Sequence, residues 1–163
     1  MAHAHPAQSI ACAVLTASDT RTAETDTSGA RIRVLLTDAG HRVVTSAIER
    51  DDPVRIGARL DEWLHTPALE AIIVNGGTGL APRDTTFEAV AARLEKRIDG
   101  FGELFRMLSF HEIGPAAMLS RAVAGVACGK VVASLPGSTA AVELAMNRLL
   151  LPELSHMVGL VRP

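Results

Sequence analysis

Aromatic side chains make up only 3% of this 163-residue chain, and its formal net charge is −2. Nucleic-acid binding needs a basic field and rings that stack on bases, so neither requirement is met and no nucleic-acid partner is expected. No apolar run approaches membrane-spanning length, and Met1 to Gln8 lacks the basic start and apolar core of a signal peptide. No membrane partner is expected, and the expected compartment is the cytoplasm. Cysteine is scarce too: Cys12 and Cys128 both lie in apolar stretches. In a reducing compartment they read as free, buried thiols. His3 and His5 fall in a short polar segment that reads as a flexible tail over residues 1–8, and His111-Glu112 lacks the second histidine of a zinc-protease helix. No tightly bound transition metal is expected.

What is present is apolar bulk: 48% of the residues are hydrophobic, enough for one domain to bury a core without disulfide or metal staples. The rest of the chain is organised around the stretch from Ile72 to Glu88. Ile72-Ile73-Val74 reads as a buried strand and stops at Asn75-Gly76-Gly77-Thr78-Gly79, after which Phe87, Val90, Ala91 and Leu94 repeat at helical spacing. Glycines at the carboxyl end of a strand let backbone N–H groups close around a ligand, and the following helix N-terminus favours an anion. The loop has the makings of a phosphate cradle. It lacks the Lys-Ser/Thr pair of a P-loop and does not match the G-x-G-x-x-G spacing. Thr85 and Glu88 have capping-box spacing, which places Asp84 one residue outside the helix with its carboxylate facing the loop. Asp84 as the N-cap itself is an equally good local reading.

Elsewhere the pattern alternates strand and helix. Ser9 to Thr16 reads as a strand apolar enough to be central, followed by a helix with a stripe of Ile32, Leu35, Leu36 and Ala39 that Gly40 can end. His41 to Glu49 reads as the second strand. Asp52 and Pro53 start a helix lined by Ile56, Leu60, Trp63 and Leu64. A longer helix is expected over Gly100 to Ser109, a short one over Ala116 to Val123, and strands on either side of Cys128-Gly129-Lys130. Ser138 can cap a helix bearing Val142, Met146, Leu149 and Leu150, and Pro152 to Val161 reads as a terminal helix. The fold class this implies is three-layer α/β/α with a mostly parallel, doubly wound sheet in a single domain over residues 9–163. Asp19, Asp51, Asn75 and Gly76 all follow strand ends, so they belong at the carboxyl edge of the sheet, where such folds bind ligands. Phosphate seats beside carboxylates suit transfer of a phosphoryl or nucleotidyl group, with Mg²⁺ held by one or two acids and by substrate phosphates.

Four stretches in order carry a resemblance: Asn75 to Thr86, Gly100-Phe101-Gly102-Glu103-Leu104-Phe105-Arg106-Met107, Ala117-Met118-Leu119-Ser120-Arg121-Ala122, and Ser134-Leu135-Pro136-Gly137-Ser138. Together they resemble the MoaB/MogA family of molybdenum cofactor biosynthesis, with more of the MoaB than the MogA branch, over about Ile10 to Val161. The resemblance implies a molybdopterin-binding domain and, from the MogA side, an adenylyltransferase. That enzyme joins the adenylyl group of Mg-ATP to the terminal phosphate of molybdopterin and releases pyrophosphate, before a partner inserts molybdate.

Asp51 and Asp84 match the family's active-site acids and would act as catalytic and metal-binding residues, although Glu49-Arg50-Asp51-Asp52 lacks the usual preceding proline and leaves Asp52 as an alternative. Gly76, Gly77, Thr78 and Gly79 would bind phosphate, and Ser18 and Asp19 would border nucleotide or pterin. Ser109, Ser120, Gly137 and Ser138 would complete the pterin-phosphate pocket. Arg83 is either a phosphate ligand or a surface ion pair. A molybdopterin-binding scaffold with little turnover is the rival reading, and a sugar- or nucleotide-phosphate enzyme unrelated to molybdenum a third. The resemblance also implies a homo-oligomer, trimeric or hexameric. A physical reason for it would be the apolar surface of Phe101, Leu104, Phe105, Met107, Leu108 and Phe110.

Overall fold

The computed structural model describes residues 8–163; His3, His5 and all but the last residue of the expected tail lie outside them. Six strands form one sheet in the order β2-β1-β3-β6-β5-β4: β1 (Ala11–Ala17), β2 (Arg42–Glu49), β3 (Ala71–Asn75), β4 (Lys96–Arg97), β5 (Val123–Ala127) and β6 (Lys130–Leu135). The neighbours β2, β1, β3 and β6 run parallel, while β5 and β4 are antiparallel additions at one edge. The sheet is therefore mixed, its parallel half carrying the doubly wound pattern expected from the sequence.

Side chains on the central strands alternate between two cores. Cys12, Val14, Ala71, Ile73, Val131 and Ala133 pack beneath α1 (Thr27–Asp38), α4 (Asp99–Ile113), α5 (Thr139–Ala145) and α6 (Leu151–Val161). Ala13, Leu15, Ile72, Val74 and Val132 face α2 (Pro53–Leu64) and α3 (Thr86–Ala91). A strand's two faces both find apolar cover, which is why β1 and β3 read as continuous apolar runs. Among the described residues no helix is long and apolar enough to cross a membrane.

Several local expectations need correction. The helix after the glycine loop stops at Ala91 rather than reaching Leu94, because Glu95 donates its N–H to the Val126 carbonyl and leads into the short strand β4. The capping box does not form: Thr85 occupies the N-cap without a side-chain hydrogen bond, and Glu88 is engaged by Arg121. The segment before β5 is a 3-10 helix, Gly114–Leu119, and Val123 already belongs to the strand. Cys128 is exposed, since it sits with Gly129 at positive φ in the two-residue turn joining β5 to β6. Cys12 is buried, and desolvation pushes its thiol up to about 12. Between α5 and α6 the helix widens into a π turn, Met146–Leu150, immediately before Pro152, whose missing N–H cannot continue the regular ladder.

The apolar segment on α4 also divides differently from the sequence expectation. Phe101 and Phe105 are core residues, stacked at 6.3 Å, whereas Leu104, Met107, Phe110 and Ile113 form an exposed stripe at three-residue spacing. Phe105 therefore belongs to the core rather than to an interface. Truncation to Phe105→Ala should cost about 3–5 kcal/mol of unfolding free energy, and Phe105→Glu more, while Phe110→Ala stays within about 1 kcal/mol. Denaturant titration of the three variants checks this; equal midpoints for Phe105→Ala and Phe110→Ala would contradict the assignment.

Candidate functional site

The carboxyl ends of β1, β3 and β6 deliver three loops to one place. Gly76 has φ of +97°, and a Cβ there would stand 2.3 Å from the Ala17 carbonyl oxygen. A Cβ on Gly137 would stand 3.2 Å from the Cα of Gly76. At residue 76 only glycine lets the backbones approach this closely. A cleft of about 490 Å³ opens above them.

Of the residues expected at the site, Ser18, Gly76, Gly77, Thr78, Gly79, Asp84, Ser120 and Gly137 line this cleft. Asp51 lies behind Gly77: a Cβ on Gly77 would be 3.2 Å from its Oδ1. Asp19 accepts the Asp51 N–H at 3.3 Å and pairs with Arg83, so it braces the acid loop from the rim, and Arg83 is an ion-pair residue here. Ser138 caps α5 by accepting from the Ala141 N–H at 3.2 Å, next to the cleft but outside its wall. Ser109 is not brought to the cleft; it is buried on α4.

The choice between the neighbouring acids is a matter of hydrogen bonds. Asp52 caps α2, accepting from the Val54 and Arg55 N–H groups at 2.8 and 3.1 Å. Asp51 Oδ1 is buried and has no hydrogen-bond partner among the described residues. Burial, and then the negative charge of Asp84, hold the Asp51 carboxyl above the ordinary aspartate value of 3.8. Asp84 itself accepts the Ala81 N–H at 3.1 Å, which keeps its carboxylate over the loop and against Gly79.

The loop between these acids is rich in free donors. The N–H groups of Gly77, Thr78, Gly79 and Leu80 make no hydrogen bond within the described residues. Three of the loop's carbonyls, in contrast, are taken. Arg121 donates to the carbonyls of Thr78, Gly79 and Asp84 at 3.1, 2.6 and 3.0 Å, pairs with Glu88 and stacks 4.9 Å from the Phe87 ring. Successive unpaired N–H groups make an anion-binding concavity.

Below the loop the floor is a buried polar chain. Asn75 donates to Thr16 Oγ1 at 3.0 Å, Thr16 donates to Asp26 at 2.7 Å, and Asp26 accepts the Gly29 N–H at 3.0 Å to cap α1. Ser28 donates to the Gly137 carbonyl at 2.9 Å, tying α1 to the β6 loop. Arg21 lines the same cleft and donates to the Thr25 carbonyl at 2.6 Å. Sequence reasoning did not place Thr16, Arg21, Ser28, Leu119 or Arg121 at the site. Thr16 lies near the end of β1 and Ser28 in the first turn of α1, so their place at one cleft depends on how the elements pack, which no local pattern reveals.

The loop geometry makes a direct prediction for Gly77, at φ of +63° with a virtual Cβ 2.2 Å from Thr86 Oγ1. Gly77→Val should fold with a stability loss of about 1–3 kcal/mol and lose affinity for inorganic pyrophosphate by roughly tenfold or more. Gly40→Val is the control, since Gly40 has φ of +86° at the far end of α1 with nothing within 4 Å of its virtual Cβ. It should lose stability but keep affinity. Calorimetric titration of both variants checks this, and equal affinities would remove the loop from the binding site.

Comparison with known proteins agrees with the geometry. A family model described as "Probable molybdopterin binding domain" matches residues 13–156. Molybdenum cofactor biosynthesis protein B of Halalkalibacterium halodurans is 51% identical over 156 residues, covering 93% of this chain and 89% of the relative. A crystal structure of a molybdenum cofactor biosynthesis protein B superposes with a TM-score of 0.93 at 48% identity, covering 96% of this chain and 98% of that one. A MogA structure superposes at 0.85 with 28% identity, covering 93% of this chain and 99% of that one. A cradle of free N–H groups beside two acids, in a chain related over nearly its whole length to MoaB proteins, places this protein in the molybdenum cofactor biosynthesis family, on its MoaB branch.

Proposed function

We propose that this molybdenum cofactor biosynthesis protein binds molybdopterin in the cleft and adenylylates its terminal phosphate with Mg-ATP. The observation that carries the reading is the buried, unpartnered Oδ1 of Asp51, set behind a loop of free N–H groups and within the field of Asp84. A carboxylate left unsatisfied in that position fits a cation, and Asp51 and Asp84 would hold Mg²⁺, which supplies positive charge against the phosphates. Among the described residues no cluster of three or more His, Cys, Asp or Glu side chains could hold a metal. Water and substrate phosphate would therefore have to fill the remaining positions.

In the proposed reaction a terminal phosphate oxygen of molybdopterin attacks the α-phosphorus of ATP. The bond to the bridging oxygen breaks and pyrophosphate leaves with the electron pair. Negative charge builds on the phosphoryl oxygens, and the N–H groups of Gly77, Thr78, Gly79 and Leu80 are fixed donors for it. Thr78 adds a hydroxyl, and Ser18, Ser120 and Gly137 border the substrates. Adenylylated molybdopterin would then pass to a molybdate-insertion partner. Pyrophosphate release from Mg-ATP with and without molybdopterin is the decisive experiment. Molybdopterin binding without release would identify a scaffold instead.

Assembly belongs to the same proposal. The exposed stripe Leu104, Met107, Phe110 and Ile113 continues through Met118 to Leu119 at the cleft wall. Six large apolar side chains exposed on α4 and the 3-10 helix that follows it suit contact with identical copies in a closed trimer or hexamer. Phe110→Glu should reduce the light-scattering mass of the assembly while the chain stays folded. A wild-type mass equal to one chain at micromolar concentration would end this part of the proposal.

The acids supply a prediction with a definite sign. Asp51 must be ionised to hold a cation, and its carboxyl is held above 3.8, so Mg²⁺ affinity should rise with pH through that elevated range rather than at the ordinary value. The folded state also retains the Asp51 proton more tightly than the unfolded chain does, so this group's contribution to stability declines as pH rises from 3.8 through its elevated value. Asp84→Asn removes the neighbouring negative charge. It should keep or raise stability at neutral pH while reducing turnover on the order of 100-fold or more. Kinetics combined with thermal melts checks both halves; wild-type turnover in Asp84→Asn would exclude it from catalysis.

A further inference from the structure

We infer that Arg121 is the positioning residue of the phosphate loop, fixing which way its peptide units point. The inference rests on the reading of that loop as a phosphate site, and it starts from a division of labour within the loop. The carbonyls of Thr78, Gly79 and Asp84 all converge on one guanidinium, at 3.1, 2.6 and 3.0 Å. The N–H groups on the other side of those first two peptide units, on Gly79 and Leu80, have no partner among the described residues. In a planar trans peptide the carbonyl and the next N–H point in opposite directions. An arginine that gathers the carbonyls of Thr78 and Gly79 behind the loop therefore turns the Gly79 and Leu80 N–H groups away from itself.

The chemistry of the side chain suits this task better than a plain ion pair would. A pair with Glu88 alone could be made by lysine. Three carbonyls and a carboxylate need several donors in a rigid plane, which guanidinium has and ammonium lacks. The side chain of Arg121 is three-quarters buried, and the Phe87 ring covers its guanidinium at 4.9 Å. The hydrogen bond that Arg121 donates to Glu88 is also the main reason the Glu88 carboxyl is held below the usual carboxylate range. Phe87 and Glu88 belong to the first turn of α3, so the same side chain locks the loop to the helix that follows it. Arg121 itself follows Ser120, which lines the cleft and also a neighbouring groove of about 380 Å³. One residue thus ties the loop after β3 to the segment entering β5. Its positive charge also lies directly behind the donors that would meet a phosphate.

The test uses the full chain and inorganic pyrophosphate as probe. Backbone ¹⁵N order parameters of Gly77 and Gly79 should match those of rigid backbone, about 0.85, in the ligand-free wild type, and drop below about 0.6 in Arg121→Ala. Pyrophosphate affinity should drop roughly tenfold or more in Arg121→Ala and in Arg121→Lys, which keeps the charge but not the fork. Added guanidinium ion should restore both order and affinity in Arg121→Ala, a recovery that a general packing defect would not show. Glu88→Gln, which leaves the carbonyl contacts in place, should change affinity by less than about threefold. If Arg121→Ala proves unfolded, Arg121→Lys carries the same measurements. Unchanged loop order in a folded Arg121 variant overturns the inference whatever the affinity. A wild-type chain that binds no pyrophosphate overturns the phosphate-site reading instead, while the order parameters still decide the role of Arg121.

Discussion

The contact between Gly76 and the carbonyl of Ala17 is the constraint on which the site depends. Parallel pairing sets β3 beside β1 and β6 beside β3, so three chain exits fall at one edge. A side chain of any size at residue 76 would wedge those exits apart, while one at residue 137 would press on the Cα of Gly76 at 3.2 Å. Register supplies the rest: Thr16 lies opposite Asn75, which lies opposite Leu135. The polar groups of the floor meet because the sheet aligns them, and the loops follow.

Electrostatics at the site run against the cheapest arrangement. Asp51 and Asp84 repel each other, and nearby cations are committed elsewhere, Arg83 to Asp19 and Arg121 to Glu88 and the loop carbonyls. Two acids held together without a counter-charge of their own are a stored cost, tolerable because the surrounding sheet over-determines the backbone. Ion pairs placed away from the cleft, such as Arg59 with Glu49 at 3.0 Å and Arg93 with Asp61 at 2.6 Å, hold α2 to its neighbours and have no such tension.

Much of this was legible in the sequence. β-branched runs gave the central strands, and Asp52-Pro53 and Ser138 gave helix starts at the residues where the structure places them. The glycine loop and its acid were visible because turn chemistry and helix periodicity are local. What stayed hidden depends on distance along the chain. Arg121 reaches residues 33 to 43 positions away, and although it stands in one of the stretches that carry the family resemblance, no local pattern shows which loop it grips. Phe105 and Phe110 are equally apolar, and only the position of α4 against the sheet decides that the first is buried and the second exposed. Cys128 reads as apolar by its neighbours yet sits at a hairpin tip, where the two-residue turn overrides composition. Ser109 shows the converse limit, since a resemblance can nominate a residue that the single chain keeps away from the cleft.

The hydrogen-bonded run from Asn75 through Thr16 to Asp26 has a thermodynamic consequence. Each of these side chains is almost wholly buried, and each holds the next in one orientation before any ligand arrives. A ligand entering above them would meet a floor whose ordering was settled when the chain folded. The entropy lost on association is then chiefly the ligand's own motion and that of the loop above, not that of the protein beneath it. Loosening a hydroxyl as small as that of Thr16 would transfer part of that ordering from folding to binding.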